Sequence, residues 1–210
     1  MINLFIADDH PIVREGLKKV LVDCPDLFLA GETSDGNDVI AACMEKKIDV
    51  LLLDISMPGP GFLEIIHRLK IKFPSLKVLV LSMHSEDHYA IRAVKAGAAG
   101  YLTKNHSAEE LEHAIRRVYN GKIYLTPSIA DSVVHLLQSE GYVYAHEKLS
   151  DREYQIMCLI GEGKNTNEIA DQLALSPKTV ATYRSRIFTK MNLATNAELI
   201  RYVVKHNLTQ

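Results

Sequence analysis

The stretch VLLLDISMPG at residues 50–59 decides the fold of the first half of the chain. Four apolar residues lead directly to a carboxylate, and a segment containing Pro58 and Gly59 follows. A short, continuously apolar run of this kind is typical of a parallel strand that is covered on both faces. The stretch therefore predicts a buried strand, Val50–Asp54, that ends on an acidic residue.

Four further apolar runs on either side of this strand have the same character. They are Asn3–Ala7, Leu27–Ala30, Val78–Ser82 and Gly100–Thr103. Segments with helical periodicity alternate with these runs, and they are Pro11–Val22, Asn37–Glu45, Phe62–Phe73, Glu86–Ala96 and Ala108–Asn120. Five such units predict an α/β domain over residues 1–121, built on an open, doubly wound, five-stranded parallel sheet.

The rest of the chain has a helical pattern. We predict a linker with one helix, Ile129–Leu137, at residues 122–146, and a four-helix, all-α domain at residues 147–210. The four predicted helices are Ser150–Ile160, Thr166–Leu173, Pro177–Met191 and Asn196–His206. The short turn Ala174–Ser176 joins the second of these helices to the third, which is helix-turn-helix geometry.

Composition and charge exclude several classes of protein. The chain has 210 residues, of which 47% are hydrophobic and 24% charged, and these values exclude a disordered, collagen-like or coiled-coil chain. Its three cysteines contain no C-x-x-C pair, so neither a disulfide framework nor a thiolate zinc site is supported. No apolar run approaches the ~18 residues of a membrane span, and we expect a cytoplasmic protein without a membrane partner.

Polar side chains follow the predicted strands at the edge where open α/β sheets bind ligands. Asp8 and Asp9 follow the first strand, and Asp54 ends the third. Ser82 ends the fourth strand, and Lys104 follows the fifth. Any one of these residues alone would be explained by the exposure of strand ends, but their convergence on one edge favours a functional site.

These residue types match the chemistry of phosphoryl transfer to a carboxylate. An acceptor carboxylate needs a divalent cation to neutralise the approaching phosphate, and a cation or hydroxyl to receive the new phosphoryl oxygens. We predict that Asp54 is the acceptor, with Lys104 and Ser82 receiving oxygens. The predicted Mg²⁺ ligands are Asp8, Asp9, Asp54 and the backbone carbonyl of Ser56. Without compensation this acidic cluster would be repulsive, which also argues for function.

Residues 1–121 resemble the receiver domain of bacterial response regulators. The resemblance implies that Asp8 and Asp9 are the acidic pair and that Asp54, in LLLDISMP, is the phosphoacceptor. It further implies that Ser82 and Tyr101 are the switch residues and that Lys104 is the family's lysine. The chain departs from the usual pattern at Asn105, where Pro is common, and at Pro60-Gly61, where Met-Asp-Gly is common.

The helix predicted for Pro177–Met191 has two distinct faces and contains no acidic residue. One face is apolar and should pack inward; its residues are Val180, Tyr183, Ile187 and Met191. The other face is polar and basic. A basic polar face is usually a solvated surface, but as the second helix of a helix-turn-helix it should enter the major groove of double-stranded DNA.

The predicted DNA-binding residues are Lys178, Thr179, Ala181, Thr182, Ser185, Arg186 and Lys190. We assign the charged side chains of Lys178, Arg186 and Lys190 mainly to phosphates. Thr182 and Ser185 are the better candidates for base edges. The last predicted helix presents Leu199, Ile200, Val203 and Val204, which either form a dimer contact or close the core of the domain.

Residues 147–208 resemble the LuxR-type DNA-binding domain, through LSDRE at 149–153, NTNEIADQLALSPKTV at 165–180 and IFTKMNL at 187–193. Position 181, often Lys or Asn in that family, is Ala. The whole chain thus resembles response regulators of the NarL/FixJ class, and SPKTVATYRSRIFTKMN is similar to their GacA/UvrY-like branch. The resemblance implies that a sensor histidine kinase phosphorylates Asp54, and that this switches homodimerisation and DNA binding to control transcription.

Two other functions are compatible with parts of this pattern. An aspartyl-phosphate phosphatase also uses a nucleophilic Asp at a strand end, but it has a second Asp two residues later, where this chain has Ser56. A scaffold or RNA-binding adaptor with a vestigial receiver is disfavoured by the complete acidic set. We therefore expect a protein that accepts a phosphoryl group rather than an enzyme, with any autophosphatase activity incidental.

Overall fold

This computed structural model describes residues 1–83, 87–127, 129–130, 144–206 and 208. The chain divides into two compact units, Met1–Glu140 and Gly141–Gln210. The helix predicted for Ile129–Leu137 lies outside the described residues from residue 131 onward, so this helix stays a prediction. Likewise, the domain boundaries predicted at residues 121/122 and 146/147 stay predictions.

The first unit is a parallel sheet of five strands that alternate with five helices. The strands are β1 (Ile2–Ala7), β2 (Leu27–Thr33), β3 (Val50–Asp54), β4 (Lys77–Ser82) and β5 (Gly100–Thr103). The helices are α1 (Pro11–Val22), α2 (Gly36–Glu45), α3 (Phe62–Lys72), α4 (Asp87–Ala96) and α5 (Ala108–Tyr119). The strand order β2-β1-β3-β4-β5 confirms the predicted doubly wound sheet.

Strand β2 is three residues longer than its apolar pattern predicts. It continues through Thr33, which pairs with Ala7 at the end of β1. Because β2 lies at the edge of the sheet, its last residues need not be apolar, and periodicity alone missed them. Gly31 lies opposite Phe5, and a Cβ atom at Gly31 would lie only 3.0 Å from the Phe5 ring. Glycine therefore permits this close approach.

The central strands β1 and β3 place the candidate site. Every residue of β3 is buried, and Leu52 joins Leu4 and Ile6 of β1 in a core that also includes residues of α1 and α5. Ala7 pairs with Leu53, so the residues that follow Ala7 and Leu53 emerge side by side. The order of the strands reverses between β1 and β3, which makes this edge the switch point of the sheet.

The segment that follows α5 packs against β5. The Tyr101 N–H donates to the Tyr124 carbonyl over 3.0 Å, and the Tyr124 N–H donates to the Ala99 carbonyl over 3.0 Å. A Cβ atom at Gly100 would lie 2.8 Å from the Tyr124 carbonyl oxygen. The start of the predicted linker is therefore bonded directly to the strand that carries Tyr101, which no sequence pattern predicted.

The second unit is helical throughout the part that the structure describes. After a 3₁₀ turn, Ala145–Lys148, it comprises α6 (Asp151–Gly161), α7 (Thr166–Gln172), α8 (Pro177–Met191) and α9 (Asn196–Lys205). Reciprocal capping boxes begin three of these helices, formed by Ser150 with Glu153, Asn165 with Glu168, and Thr195 with Glu198. Each box satisfies backbone N–H groups that the first helical turn leaves unpaired. Among the described residues, no helix is long and apolar enough to cross a membrane.

Candidate functional site

The edge of the sheet brings together two buried acids and one lysine. Asp54 ends β3 and Asp8 follows β1, and both side chains are buried. The Lys104 ammonium lies 2.8 Å from Asp8 Oδ2 and 3.0 Å from Asp54 Oδ1. The Lys104 side chain is only 5% exposed, so this cation compensates both carboxylates inside the protein.

Asp9 and His10 complete the cluster on its solvent side. The Nδ1 atom of His10 lies 2.7 Å from Asp9 Oδ1 and 3.4 Å from Asp8 Oδ1. Side-chain atoms of Asp8, Asp9, His10 and Asp54 lie within 4.8 Å of one another, a grouping that could hold a divalent metal ion. The sequence pattern did not single out His10, although its position directly after Asp8-Asp9 was the available signal.

The two carboxylate oxygens of Asp54 have different surroundings. Lys104 binds Oδ1, whereas the buried Oδ2 has no hydrogen-bond partner among the described residues. Burial raises the pKa of Asp54 from 3.8 to about 6; the Lys104 charge opposes this rise and the Asp8 charge adds to it. The site thus holds a desolvated carboxylate with one oxygen that accepts no hydrogen bond from the described residues, and a nearby cation would keep such a carboxylate ionised.

The raised pKa of Asp54 predicts a pH-dependent stability in metal-free protein. An acid whose pKa is higher in the folded state destabilises that state when it is ionised. The cost is therefore present above pH 6 and is relieved as the pH falls from about 6 to 3.8. A rise of this size corresponds to about 3 kcal/mol.

Asp54→Asn should remove this cost and raise the free energy of unfolding by about 2–3 kcal/mol at about pH 7.5. At about pH 4 most of the difference should vanish. Urea denaturation in EDTA at the two pH values measures both. An Asp54→Asn protein that is no more stable than wild type at the higher pH would contradict the prediction.

The other residues predicted for the receiver site lie close by in the fold. Ser82 ends β4 and is buried, and its carbonyl accepts the Lys104 backbone N–H over 2.6 Å. Tyr101 is fully buried in β5. Ser56 lies two residues beyond Asp54 and is partly exposed. The fold therefore places Ser82 and Ser56 at the edge that carries Asp54, whereas Tyr101 lies within β5, paired with Val80 and three residues before Lys104.

In the second unit, α8 has the two faces that its sequence predicts. Val180, Ile187 and Met191 are buried, and Tyr183 is partly buried. The exposed residues of the opposite face are Lys178, Ala181, Thr182, Ser185, Arg186 and Lys190. Thr179 is partly buried, and its N–H donates to the capping Ser176 Oγ, so it serves first to begin the helix.

Lys190 has an intramolecular partner that the sequence did not indicate. Its ammonium lies 2.6 Å from Glu153 Oε2, and Glu153 is buried and also caps α6. Burial raises the pKa of Glu153, but the hydrogen bonds from Lys190 and Ser150 outweigh this effect and lower it overall. Lys190 thus binds α8 to the start of α6, in addition to any contact that it makes with DNA.

The candidate dimer residues of α9 divide between core and surface. Leu199 and Val203 are fully buried, whereas Val204 is 60% exposed and Ile200 is intermediate. Core closure, the second of the two predicted roles, therefore accounts for Leu199 and Val203. Only Val204 and part of Ile200 are left for a contact with a second subunit.

Family models match both units of the chain. The response regulator receiver domain matches residues 4–116, and the family of bacterial regulatory proteins of the luxR type matches residues 147–203. The chain therefore belongs to the response regulators that join a receiver domain to a LuxR-type DNA-binding domain. It is a DNA-binding response regulator of a two-component system, as its resemblance implied.

Individual relatives are similar to this chain over nearly its full length. The chain is 39% identical to response regulator UvrY of Escherichia coli strain K12, over 99% of this chain and 96% of UvrY. It is also 39% identical to response regulator GacA of Pseudomonas aeruginosa, over 99% and 98%. A solved structure of RcsB from Salmonella enterica serovar Typhimurium, bound to promoter P1flhDC with the phosphomimetic BeF3−, is 27% identical with a TM-score of 0.62, and covers 96% of this chain and 98% of RcsB.

Proposed function

We propose that this protein is a transcription regulator that is switched by transfer of a phosphoryl group to Asp54. The observation that carries the proposal is the free, buried Oδ2 of Asp54, which lies beside two further carboxylates and opposite the oxygen that Lys104 binds. The proposed donor is the phosphohistidine of a sensor kinase. Since a kinase and DNA are its proposed partners, we place the protein in the cytoplasm.

A divalent cation, Mg²⁺ in this proposal, would be held by Asp8, Asp9, Asp54 and the Ser56 carbonyl, and when bound it neutralises the negative charge that collects during transfer. Asp54 Oδ2 attacks phosphorus, so that a P–O bond forms as the P–N bond to the donor histidine breaks and the imidazole leaves. Lys104, now 3.0 Å from Asp54 Oδ1, then binds a new phosphoryl oxygen. No residue of the chain is consumed, and the acyl phosphate is the signal rather than a step in a turnover cycle.

We propose that the structural change caused by phosphorylation is transmitted from this edge through β4 and β5. The Ser82 hydroxyl would bind the phosphoryl group, and the Ser82 carbonyl already bonds the Lys104 backbone. Tyr101 lies on the next strand, and its N–H is bonded to Tyr124 in the linker segment. A rearrangement of Tyr101 therefore has a direct covalent and hydrogen-bonded route to the linker.

In the DNA-binding unit we propose that α8 enters the major groove of double-stranded DNA, and that a homodimer binds paired half-sites. Lys178 and Arg186 are exposed and are assigned to phosphates. The Thr182 hydroxyl donates to the Lys178 carbonyl within the helix, which leaves its methyl group and lone pairs for a base edge. RcsB, which is 27% identical to this chain and has been solved bound to promoter P1flhDC, supports the binding of DNA by this unit.

Lys178→Ala and Lys190→Ala should separate a DNA contact from a structural one. Lys178→Ala should weaken binding to specific and scrambled duplexes alike and reduce the salt slope by about 1, with little change in stability. Lys190→Ala leaves the buried Glu153 without its cation, so it should also lower the free energy of unfolding by about 1–2 kcal/mol. Salt titrations and urea denaturation of both variants measure the two effects; equal stability of both variants would contradict the assignment.

Acetyl phosphate and MgCl₂ test the proposal as a whole. We expect an acid-labile adduct of one phosphoryl group on the full chain, and an increase in affinity for a selected DNA duplex. Steady release of inorganic phosphate at catalytic rates would instead indicate a phosphatase. An unlabelled protein whose binding to RNA exceeds its binding to DNA would indicate the adaptor function.

A further inference from the structure

Arg152, in the LSDRE stretch at the start of α6, makes contacts that neither the capping of that helix nor the proposed DNA contacts use. Its side chain is partly buried. Its Nη2 atom donates to the Leu173 carbonyl over 3.0 Å, and its Nη1 atom donates to Gln155 Oε1 over 2.8 Å. Both acceptors are neutral oxygens, and the planar guanidinium fixes the directions of both hydrogen bonds.

The Leu173 carbonyl lies where α7 meets the turn that leads to α8. Leu173 is the C-cap of α7, so its carbonyl has no partner within that helix. Ala174 follows with a φ of 51°, in the left-handed region that residues other than glycine adopt only at a cost. Such a conformation persists where the surrounding structure holds it. The hydrogen bond from Arg152 holds this turn from outside the helix-turn-helix.

Arg152 also interacts with α8 itself. Burial lowers the pKa of Arg152, and an electrostatic interaction with Tyr183 of α8 opposes this effect. The Arg186 guanidinium lies 5.8 Å from the centre of the same Tyr183 ring, within the range of a cation–π contact. Arg186 is one of the proposed phosphate contacts, so Tyr183 connects that contact to Arg152.

The neighbouring residue of α6 holds the other end of α8. Glu153 binds Lys190, which lies one residue before the end of α8 at Met191. Arg152 holds the turn just before α8 begins at Pro177. Two separated points on α8 are thereby fixed to α6, which sets the direction of its axis. Reading of base edges needs such a fixed direction, because hydrogen bonds weaken steeply when their angles are poor.

We propose that Arg152 is a positioning residue for sequence recognition, which orients α8 by holding the turn at Leu173. The inference rests on the proposed function of α8 as the helix that enters the major groove. Arg152 acts through Thr182 and Ser185, the proposed base contacts, and makes no phosphate contact of its own. A misplaced α8 should lose base contacts before phosphate contacts, since long, flexible basic side chains still reach the phosphates.

Binding of the full chain to a selected and a scrambled duplex, after treatment with acetyl phosphate and MgCl₂, tests the inference. Arg152→Gln should bind the selected duplex about tenfold more weakly, as loss of one good base contact implies. Its affinity for the scrambled duplex should change less than about twofold, with the wild-type salt slope. Arg152→Lys keeps the charge but not the planar fork, so it should recover only part of the loss.

Lys148→Gln is the matched control, because it removes an exposed cation from the same unit. It should keep the wild-type ratio of the two affinities. Gln155→Ala removes only the acceptor of Arg152 Nη1, and it should show the same selective loss to a smaller extent. This variant keeps the inference testable if Arg152→Gln does not fold; a wild-type ratio in Gln155→Ala and Arg152→Lys together would then overturn it.

Two other results would overturn the inference. Equal weakening on both duplexes, with the salt slope reduced by about 1, would make Arg152 a phosphate contact. A lower free energy of unfolding with unchanged affinity of the folded protein for both duplexes would leave Arg152 with a structural role alone. In either case the wild-type preference for the selected duplex leaves the proposed function standing. If no duplex is preferred by the wild-type protein, the proposed function and this inference fail together.

Discussion

We expect Asp54→Asn to abolish uptake of the phosphoryl group from acetyl phosphate. The amide is a poor nucleophile, and the substitution removes the one buried carboxylate oxygen at the end of β3 that is free of a partner among the described residues. We expect no replacement by Asp8, because its Oδ1 accepts the His10 N–H and its Oδ2 lies 2.8 Å from the Lys104 ammonium. The measurement is the intact mass of the full chain after treatment with the phosphodonor and MgCl₂.

Asp9→Asn is the matched control, since it removes one carboxylate from the same cluster. Asp9 is 31% exposed and lies on the side of the site that faces His10. Its loss should slow labelling by weakening cation binding, but prolonged incubation should still add one phosphoryl group. An undiminished mass increase in Asp54→Asn, or complete loss in Asp9→Asn alone, would contradict the assignment of the acceptor.

Lys104→Ala should destabilise the metal-free protein more than Lys178→Ala or Lys190→Ala. The ammonium lies within 3.0 Å of both Asp8 and Asp54, and truncation leaves two buried carboxylates without their cation. Removing one partner from a buried ion pair costs about 3–5 kcal/mol. Urea denaturation in EDTA measures the loss, and added Mg²⁺ should restore part of it because a cation again compensates the acids.

The same substitution should uncouple phosphorylation from DNA binding. Without Lys104, Asp54 should still take up some phosphoryl group in Mg²⁺. Affinity for DNA should not rise, because the ammonium that we propose senses the phosphoryl group is missing. Lys46→Ala is the matched control: Lys46 is exposed and donates to the Ala30 carbonyl, and its loss should cost less than about 1 kcal/mol. Phosphorylated Lys104→Ala that gains as much DNA affinity as wild type would refute the switching role.

Asp54→Asn and Lys104→Ala are expected to change stability in opposite directions. The first removes a buried charge whose burial is only partly compensated, as its raised pKa shows. The second removes the compensation itself. Asp54→Asn should stabilise the Lys104→Ala protein by more than it stabilises wild type, because in that background Asp54 has lost its cation. Such non-additivity is expected of residues that share one ion-pair network.

Local sequence patterns were sufficient to predict the helices and strands, and to predict which residues lie at the functional edge of the sheet. The run Val50–Asp54 predicted a buried strand ending on an acid, and the structure places that acid at the switch point of the sheet. Serine followed by glutamate three residues later, at Ser150 and Glu153, marked the start of a helix that does begin there. These features are recoverable because periodicity, burial and capping act over a few residues.

Partners that are distant in the chain were settled only by the tertiary structure. Lys104 bridges Asp8 and Asp54, and the sequence shows that all three reach one edge but not which oxygen the ammonium binds. Lys190 had the pattern of an exposed DNA contact, and only the packing of α8 on α6 brings it to Glu153. The pairing of Tyr124 with β5 has no local signature. A sequence pattern specifies which face of an element is buried, whereas these contacts depend on how the faces of separate elements meet.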